Sequence, residues 1–311
     1  MGQTFLPAGR VKAMQKLSRI LAAAVLATML NGCSPVTALN ALASTDPGYG
    51  LALDVAYGSE ARQRLDIYIP TSPAPSAGWP VVVFYGGTWN SGNKDDYKFV
   101  GAALAARGAL TLVADYRLFP EVRYPEFLKD SAMALSWSLA NAGRFGGDPK
   151  RLFVMGYSEG AYNAAMLALD SRWLRAVGRS PSALAGWIGL AGPYDFLPTD
   201  DPLMQSVFLH PNYPARVQPM EFVSAAAPAT FLGASEKDKV VDTSRSTREL
   251  ARKLELAGAP VSLRIYARPS HAELIGAFSP PLRWLAPVLA DIIEFIDRPP
   301  TARPPAGPSR R

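Results

Sequence analysis

Period-two alternation opens the folded part of this chain. In "LALDVAYG" and "QRLDIYIP" apolar and polar residues alternate, which predicts two half-buried strands pairing as an antiparallel hairpin at a sheet edge. After the turn-rich segment "TSPAPSAGW" the period changes, and short apolar runs alternate with helical stretches. "PVVVFYGG", "ALTLVADY", "RLFVMGY", "LAGWIGLAG", "ATFLGAS" and "VSLRIYA" read as strands. Between or after them, helices are predicted over Asp95–Arg107, Glu126–Asn141, Glu159–Leu169, Thr243–Ala257 and Trp284–Ile296. Gly108 and Gly258 stand where the first and fourth of these should end. Such alternation implies an α/β architecture, a mostly parallel sheet with helices on both faces. Ligands of such sheets bind at the carboxyl ends of the strands.

Residues 195–227 break the rhythm. This proline-punctuated stretch is too long for a plain connection, yet it carries Leu203, Met204, Phe208 and Tyr213, so it is expected to form a lid or pocket wall. The expected organisation is a signal peptide over residues 1–32, a tether over 33–49, one domain over 50–298 containing that insertion, and a disordered proline-rich tail over 299–311.

Composition and charge narrow the partners. The 311 residues are 49% hydrophobic and 19% charged, in keeping with a globular protein. The net charge of +6 is concentrated at the ends: Arg10, Lys12, Lys16 and Arg19 precede Cys33, and Arg303, Arg310 and Arg311 lie in the tail. Without those seven, +6 becomes −1, so no basic surface for nucleic acid is expected. The apolar run Ile20–Leu30 follows Lys12, Lys16 and Arg19. It is shorter than the ~20 residues of a membrane span but fits a signal-peptide core. Leu30-Asn31-Gly32-Cys33 resembles a bacterial lipobox and contains the only cysteine. Lipidation at Cys33 is therefore expected, with export to the periplasm or outer membrane and no disulfide within the domain.

The chemistry centres on "GYSEG". An apolar strand, Gly156-x-Ser158-x-Gly160 and a helix start form the context of a nucleophile held in a sharp turn. The chain has two histidines. His271 follows the last core strand and precedes the last helix, on the sheet edge that carries Ser158, and is the candidate base. His210 lies in the insertion and reads as structural. Glu236, Asp238 and Asp242 follow a strand end and can supply a carboxylate for His271; Asp238 is preferred. Backbone donors for an oxyanion are expected from Glu159 and from Gly86, Gly87 or Thr88 after "VVVFY". The Glu159 side chain is expected outward or partly buried, where a helix N-terminus favours an acid. Turned inward, it would disfavour anionic substrates. No histidine or cysteine spacing implies a metal site, and no cofactor is implied.

"FYGGTWNSGNKDDY", "LVADYRLFPEVRYPEFLKD", "GRFGGDPKRLFVMGYSEGAYNAA", "GLAGPYDF", "EKDKVV" and "SHAELI" together resemble the α/β-hydrolase superfamily. They are most similar to its carboxylesterase branch, with hormone-sensitive lipase, kynurenine formamidase and bacterial feruloyl-esterase-like proteins. The resemblance spans roughly residues 55–297. It implies the α/β-hydrolase fold, Ser158 as nucleophile, Asp238 as acid, His271 as base, and hydrolysis of small-molecule esters through an acyl-enzyme. Amide, formamide or peptide cleavage by the same residues is an alternative, as is a non-catalytic envelope-binding role. Two positions depart from the pattern: Tyr85 replaces the usual histidine, and Glu159 a usual alanine or other small residue.

Overall fold

The computed structural model describes residues 37, 39–41, 48–71 and 78–301. The expected signal peptide, Cys33, most of the tether and residues 302–311 of the tail lie outside the described residues. Eight strands form one sheet: β1 (Tyr49–Ala56), β2 (Arg64–Pro70), β3 (Trp79–Phe84), β4 (Ala109–Ala114), β5 (Phe153–Tyr157), β6 (Gly186–Leu190), β7 (Ala229–Ser235) and β8 (Val261–Tyr266). Their spatial order is β1-β2-β4-β3-β5-β6-β7-β8. Only β2 runs antiparallel to its neighbours; every other pairing is parallel. This is the α/β-hydrolase fold. β3 to β6 are buried along their whole length, as expected for continuous apolar runs covered on both faces. β1, with its alternating pattern, lies at the edge and leaves Leu51 and Leu53 exposed.

Between the strands run α1 (Lys98–Ala105), α2 (Glu126–Asn141), α3 (Glu159–Leu169), α4 (Ser171–Ala176), α5 (Pro202–Val207), α6 (Glu249–Leu256), α7 (His271–Gly276) and α8 (Val288–Asp297). Helices α2, α3 and α4 pack against one another, while α1 packs with α8. Three predicted helices differ at their starts. The one expected from Asp95 begins as a 3-10 turn, Lys94–Tyr97, capped by Asn93, before α1 takes over. The one expected from Thr243 begins as a π turn, Ser244–Arg248. The last starts at Val288 rather than Trp284, because Pro287 disfavours helical geometry in the residue before it.

Residues 195–227 fold down onto the domain. Val207 and Phe208 are fully buried, and the Tyr162 hydroxyl donates to the Val217 carbonyl at 2.7 Å. Phe196 and Phe208 lie 5.8 and 4.9 Å from the indole of Trp89, which is itself fully buried. The insertion is thus a packed wall behind the loop that follows β3. His210 is exposed, with its ring against Tyr213 at 5.4 Å.

Close backbone approach sets the position of α3. A Cβ on Gly156 would lie 2.0 Å from the Gly160 carbonyl oxygen, and one on Gly160 only 2.1 Å from that of Phe84. Neither oxygen can yield, because both belong to main chain. Gly160→Ala should therefore destabilise the fold by roughly 1–3 kcal/mol or more, seen as a lower urea midpoint with an unchanged m-value. An unchanged midpoint would show that α3 can move away from β3 at little cost.

Candidate active site

Ser158 follows β5 directly and caps α3 with φ 52° and ψ −123°, a conformation that costs a non-glycine residue on the order of 1–3 kcal/mol. Its N–H donates to the Leu190 carbonyl at the end of β6, at 2.8 Å. That bond and the Gly156–Gly160 contact hold the turn, so the hydroxyl is presented at the carboxyl edge of the sheet. Ser158 is only 3% exposed.

His271 is the first residue of α7. Ser270 caps this helix in a reciprocal arrangement with Glu273, which fixes where the imidazole starts. The Tyr157 hydroxyl donates to the His271 carbonyl at 3.1 Å, and the two rings lie 5.2 Å apart. His271 Nε2 is 3.0 Å from Ser158 Oγ, and Nδ1 is 2.7 Å from Asp238 Oδ2. The second Asp238 oxygen accepts the N–H groups of Val240 and Val241 at 2.8 and 2.9 Å. Burial opposes charge on Asp238, but these three hydrogen bonds and the nearby imidazole outweigh it and hold the carboxyl below its ordinary range.

The two other acids considered from the sequence do not reach the histidine. Glu236 pairs with Arg248, and Asp242 accepts the N–H groups of Ser244 and Arg245 at 2.8 and 3.0 Å. Each is held by its own local partner. The loop that presents Asp238 is pinned at its base, where Glu236 N–H donates to the Tyr266 carbonyl at 3.0 Å and Ser235 Oγ to that of Pro269.

The loop after β3 carries positive φ at three successive residues, Gly87 (141°), Thr88 (52°) and Trp89 (55°), which reverses the peptide direction beside Ser158. A Cβ on Gly86 would meet Ser158 Cβ at 2.8 Å, so only glycine fits there. Both glycine N–H groups expected as donors already have acceptors in this structure. The Gly86 N–H donates to the Tyr97 hydroxyl at 3.2 Å, and the Gly87 N–H donates to Glu159 Oε2 at 2.8 Å. Among the described residues, the N–H groups of Thr88 and Glu159 have no acceptor. The expectation of an outward or partly buried Glu159 is corrected: the residue is 3% exposed, and its carboxylate folds back onto the loop after β3, where it accepts the Gly87 N–H.

Tyr85, at the departed histidine's position, is fully buried. Its hydroxyl accepts from Arg62 at 2.6 Å, and the Asp115 carboxylate, itself 3.6 Å from Arg62, lies on the same side. Arg62 also donates to the carbonyls of Tyr116 (2.9 Å) and Gly92 (2.8 Å). Burial, reinforced by Asp115, pushes the phenol of Tyr85 well above its ordinary pKa, so it stays neutral. Arg62, Tyr97 and Tyr157 all support the site, and none carries a local sequence signal. Among the described residues no group of His, Cys, Asp and Glu could hold a metal ion.

Comparison with known proteins gives the family of the chain. The BD-FAE family model matches residues 65–254. The isoprenylcysteine α-carbonyl methylesterase ICME of Arabidopsis thaliana is 29% identical over 244 residues, covering 71% of this chain and 56% of the relative. Esterase LipC of Mycobacterium tuberculosis is 29% identical over 238 residues, covering 66% and 58%. Thus the chain spans just over half the length of these relatives. An inhibited esterase B from Lactobacillus rhamnosis has the same fold, with TM-score 0.69 at 15% identity, 90% of this chain and 97% of that one being covered. The chain belongs to the BD-FAE family.

Proposed function

We propose that this protein hydrolyses carboxylic esters through an acyl-enzyme on Ser158, with His271 as general base and Asp238 as its carboxylate partner. The observation that carries the proposal is the continuous relay of Ser158 Oγ, His271 and Asp238 at 3.0 and 2.7 Å. Asp238 keeps the proton on Nδ1, which leaves Nε2 free to accept the hydroxyl proton as Oγ attacks the acyl carbon. The imidazolium then protonates the departing alkoxide. In the second half, His271 takes a proton from water as the water oxygen attacks the acyl carbon, and returns it to Ser158 as the acid leaves. The Glu159 N–H, at the positive end of α3, is the first donor to the oxyanion. Esterase names among the relatives, ICME and LipC, support the ester over the amide reading.

The buried relay makes Ser158 a target for fluorophosphonates. The purified protein should be labelled by such a probe and should turn over p-nitrophenyl esters. Ser158→Ala should abolish labelling and lower kcat by at least ~10³-fold. An unlabelled, inactive wild type would overturn the proposal.

Asp238 also links the site to stability. Its pKa is depressed in the folded state, so its contribution is present above the unfolded value of about 3.9 and is lost as pH falls through the folded one. Asp238→Asn should therefore be less stable than wild type at pH 7 in urea, and the gap should close below about pH 4. A constant gap would contradict the assigned pairing.

We further propose that Cys33 is lipidated and holds the enzyme at the cell envelope. The lipobox-like Leu30–Cys33 run supports this. The wild-type chain, expressed in a bacterium, should partition with membranes and Cys33→Ser should not; membrane recovery of the variant would count against the anchor.

A further inference from the structure

The buried acids of this protein follow a pattern with one exception. Asp66 is 3.1 Å from Lys94, Asp130 is 2.8 Å from Arg117, and Asp170 is 2.7 Å from Arg172. Asp115 lies 3.6 Å from Arg62. Asp238, its side chain fully covered, has His271. Glu159 is just as buried, yet among the described residues no Lys, Arg or His pairs with it and its carboxylate accepts a single hydrogen bond, from Gly87. The helix N-terminus supplies only a partial positive charge. Buried carboxylates are ordinarily paired with a cation, and this one lies beside the nucleophile: Oε2 would be 3.1 Å, and Ser158 Cβ 2.8 Å, from a Cβ placed on Gly86.

Resting on the esterase reading above, we propose that Glu159 is the specificity-determining residue of this site and selects esters whose acyl part carries a cationic nitrogen on the α-carbon, as in an α-amino acid ester. The carboxylate has two effects. It occupies the Gly87 N–H, one of the loop donors beside Ser158, and it puts a negative charge where the oxyanion develops. A neutral acyl group offers nothing in exchange for the Gly87 bond, and an anionic one is repelled. An α-ammonium group sits on the carbon next to the carbonyl, two bonds from the carbonyl carbon and within reach of the carboxylate. It supplies the missing cation through a charge-assisted hydrogen bond, stronger than the neutral N–H donor it replaces. As the carboxylate moves to the ammonium, the Gly87 N–H is released to the oxyanion. The correct substrate thus completes the donor set.

The test compares two esters of matched shape, the 2-naphthyl esters of L-alanine and of isobutyric acid, which differ by an ammonium in place of a methyl group. Both are assayed below the pKa of the α-amino group. Wild type should favour the alanine ester by ~10-fold or more in kcat/KM. Glu159→Ala should lose that preference and gain on the order of 10-fold with isobutyrate, since one oxyanion donor is typically worth 10²–10³ in kcat and only part of that is recovered. Glu159→Gln keeps an acceptor for Gly87 but no charge; it should also lose the preference, with a smaller gain on isobutyrate. Because Gln is isosteric with Glu, it remains informative if Ala perturbs folding. Turnover of both esters by wild type without the preference, or a preference that survives in both variants, overturns this inference alone. No turnover of either ester, with no fluorophosphonate labelling of Ser158, overturns the esterase reading and this inference with it.

Discussion

How closely α3 approaches the ends of β3 and β5 governs the whole carboxyl edge of the sheet. Gly156 and Gly160 bring main chain against main chain, and Gly160 lies over the carbonyls of Phe84 and Tyr85. That contact forces the positive φ of Ser158, and the Leu190 bond to its N–H ties the turn to β6. It also brings the loop after β3 beside Ser158, so the hydroxyl and the backbone N–H groups near it are positioned by one packing event. Parallel pairing of β5 through β8 does the rest, because it delivers Asp238 and His271 to the same edge from strands far apart in the chain.

Around that edge, polar groups are held by hydrogen bonds rather than by volume alone. Tyr116 donates to the Tyr85 carbonyl at 2.7 Å, Tyr97 accepts the Gly86 N–H, and Trp89 donates to Asn163 at 3.2 Å. The first two hold both ends of the Tyr85–Gly86 peptide and the third anchors the Trp89 side chain, in a loop whose dihedral angles are otherwise unfavourable. The aromatic wall formed by Phe196, Phe208 and Tyr162 packs against Trp89, so the insertion supports the donor loop from behind. Preorganisation of this kind is what allows backbone dipoles to act on a developing charge without reorganising.

Much of this architecture can be read in the sequence because punctuation and period agree there. Helices α2 and α3 and strand β7 begin and end at the expected residues, where an apolar period meets glycine, proline or a polar boundary. The candidate serine, histidine and aspartate follow from strand ends, which position side chains whatever the intervening loops do. The donor loop is different. Which way the Gly86 and Gly87 N–H groups point depends on three left-handed dihedrals and on Tyr97 and Glu159, the latter 72 residues away from Gly87. No local pattern encodes that. The inward turn of Glu159 is likewise tertiary, since a helix-starting acid reads the same from sequence whether it faces solvent or a peptide N–H.

The replacement of a histidine by Tyr85 has a consequence for where the functional unit ends. The phenol is gripped by Arg62, which also bonds the carbonyls of Tyr116 and Gly92. Arg62 belongs to the turn between β1 and β2, at the far margin of the sheet, and precedes the family-matched span of residues 65–254. The edge hairpin is therefore a clamp as well as a border, reaching across β2 and β4 to stiffen the donor loop. A fragment trimmed to the family boundary would lose this clamp along with His271. The smallest piece of this chain that can act as a unit is accordingly larger than the family-matched span.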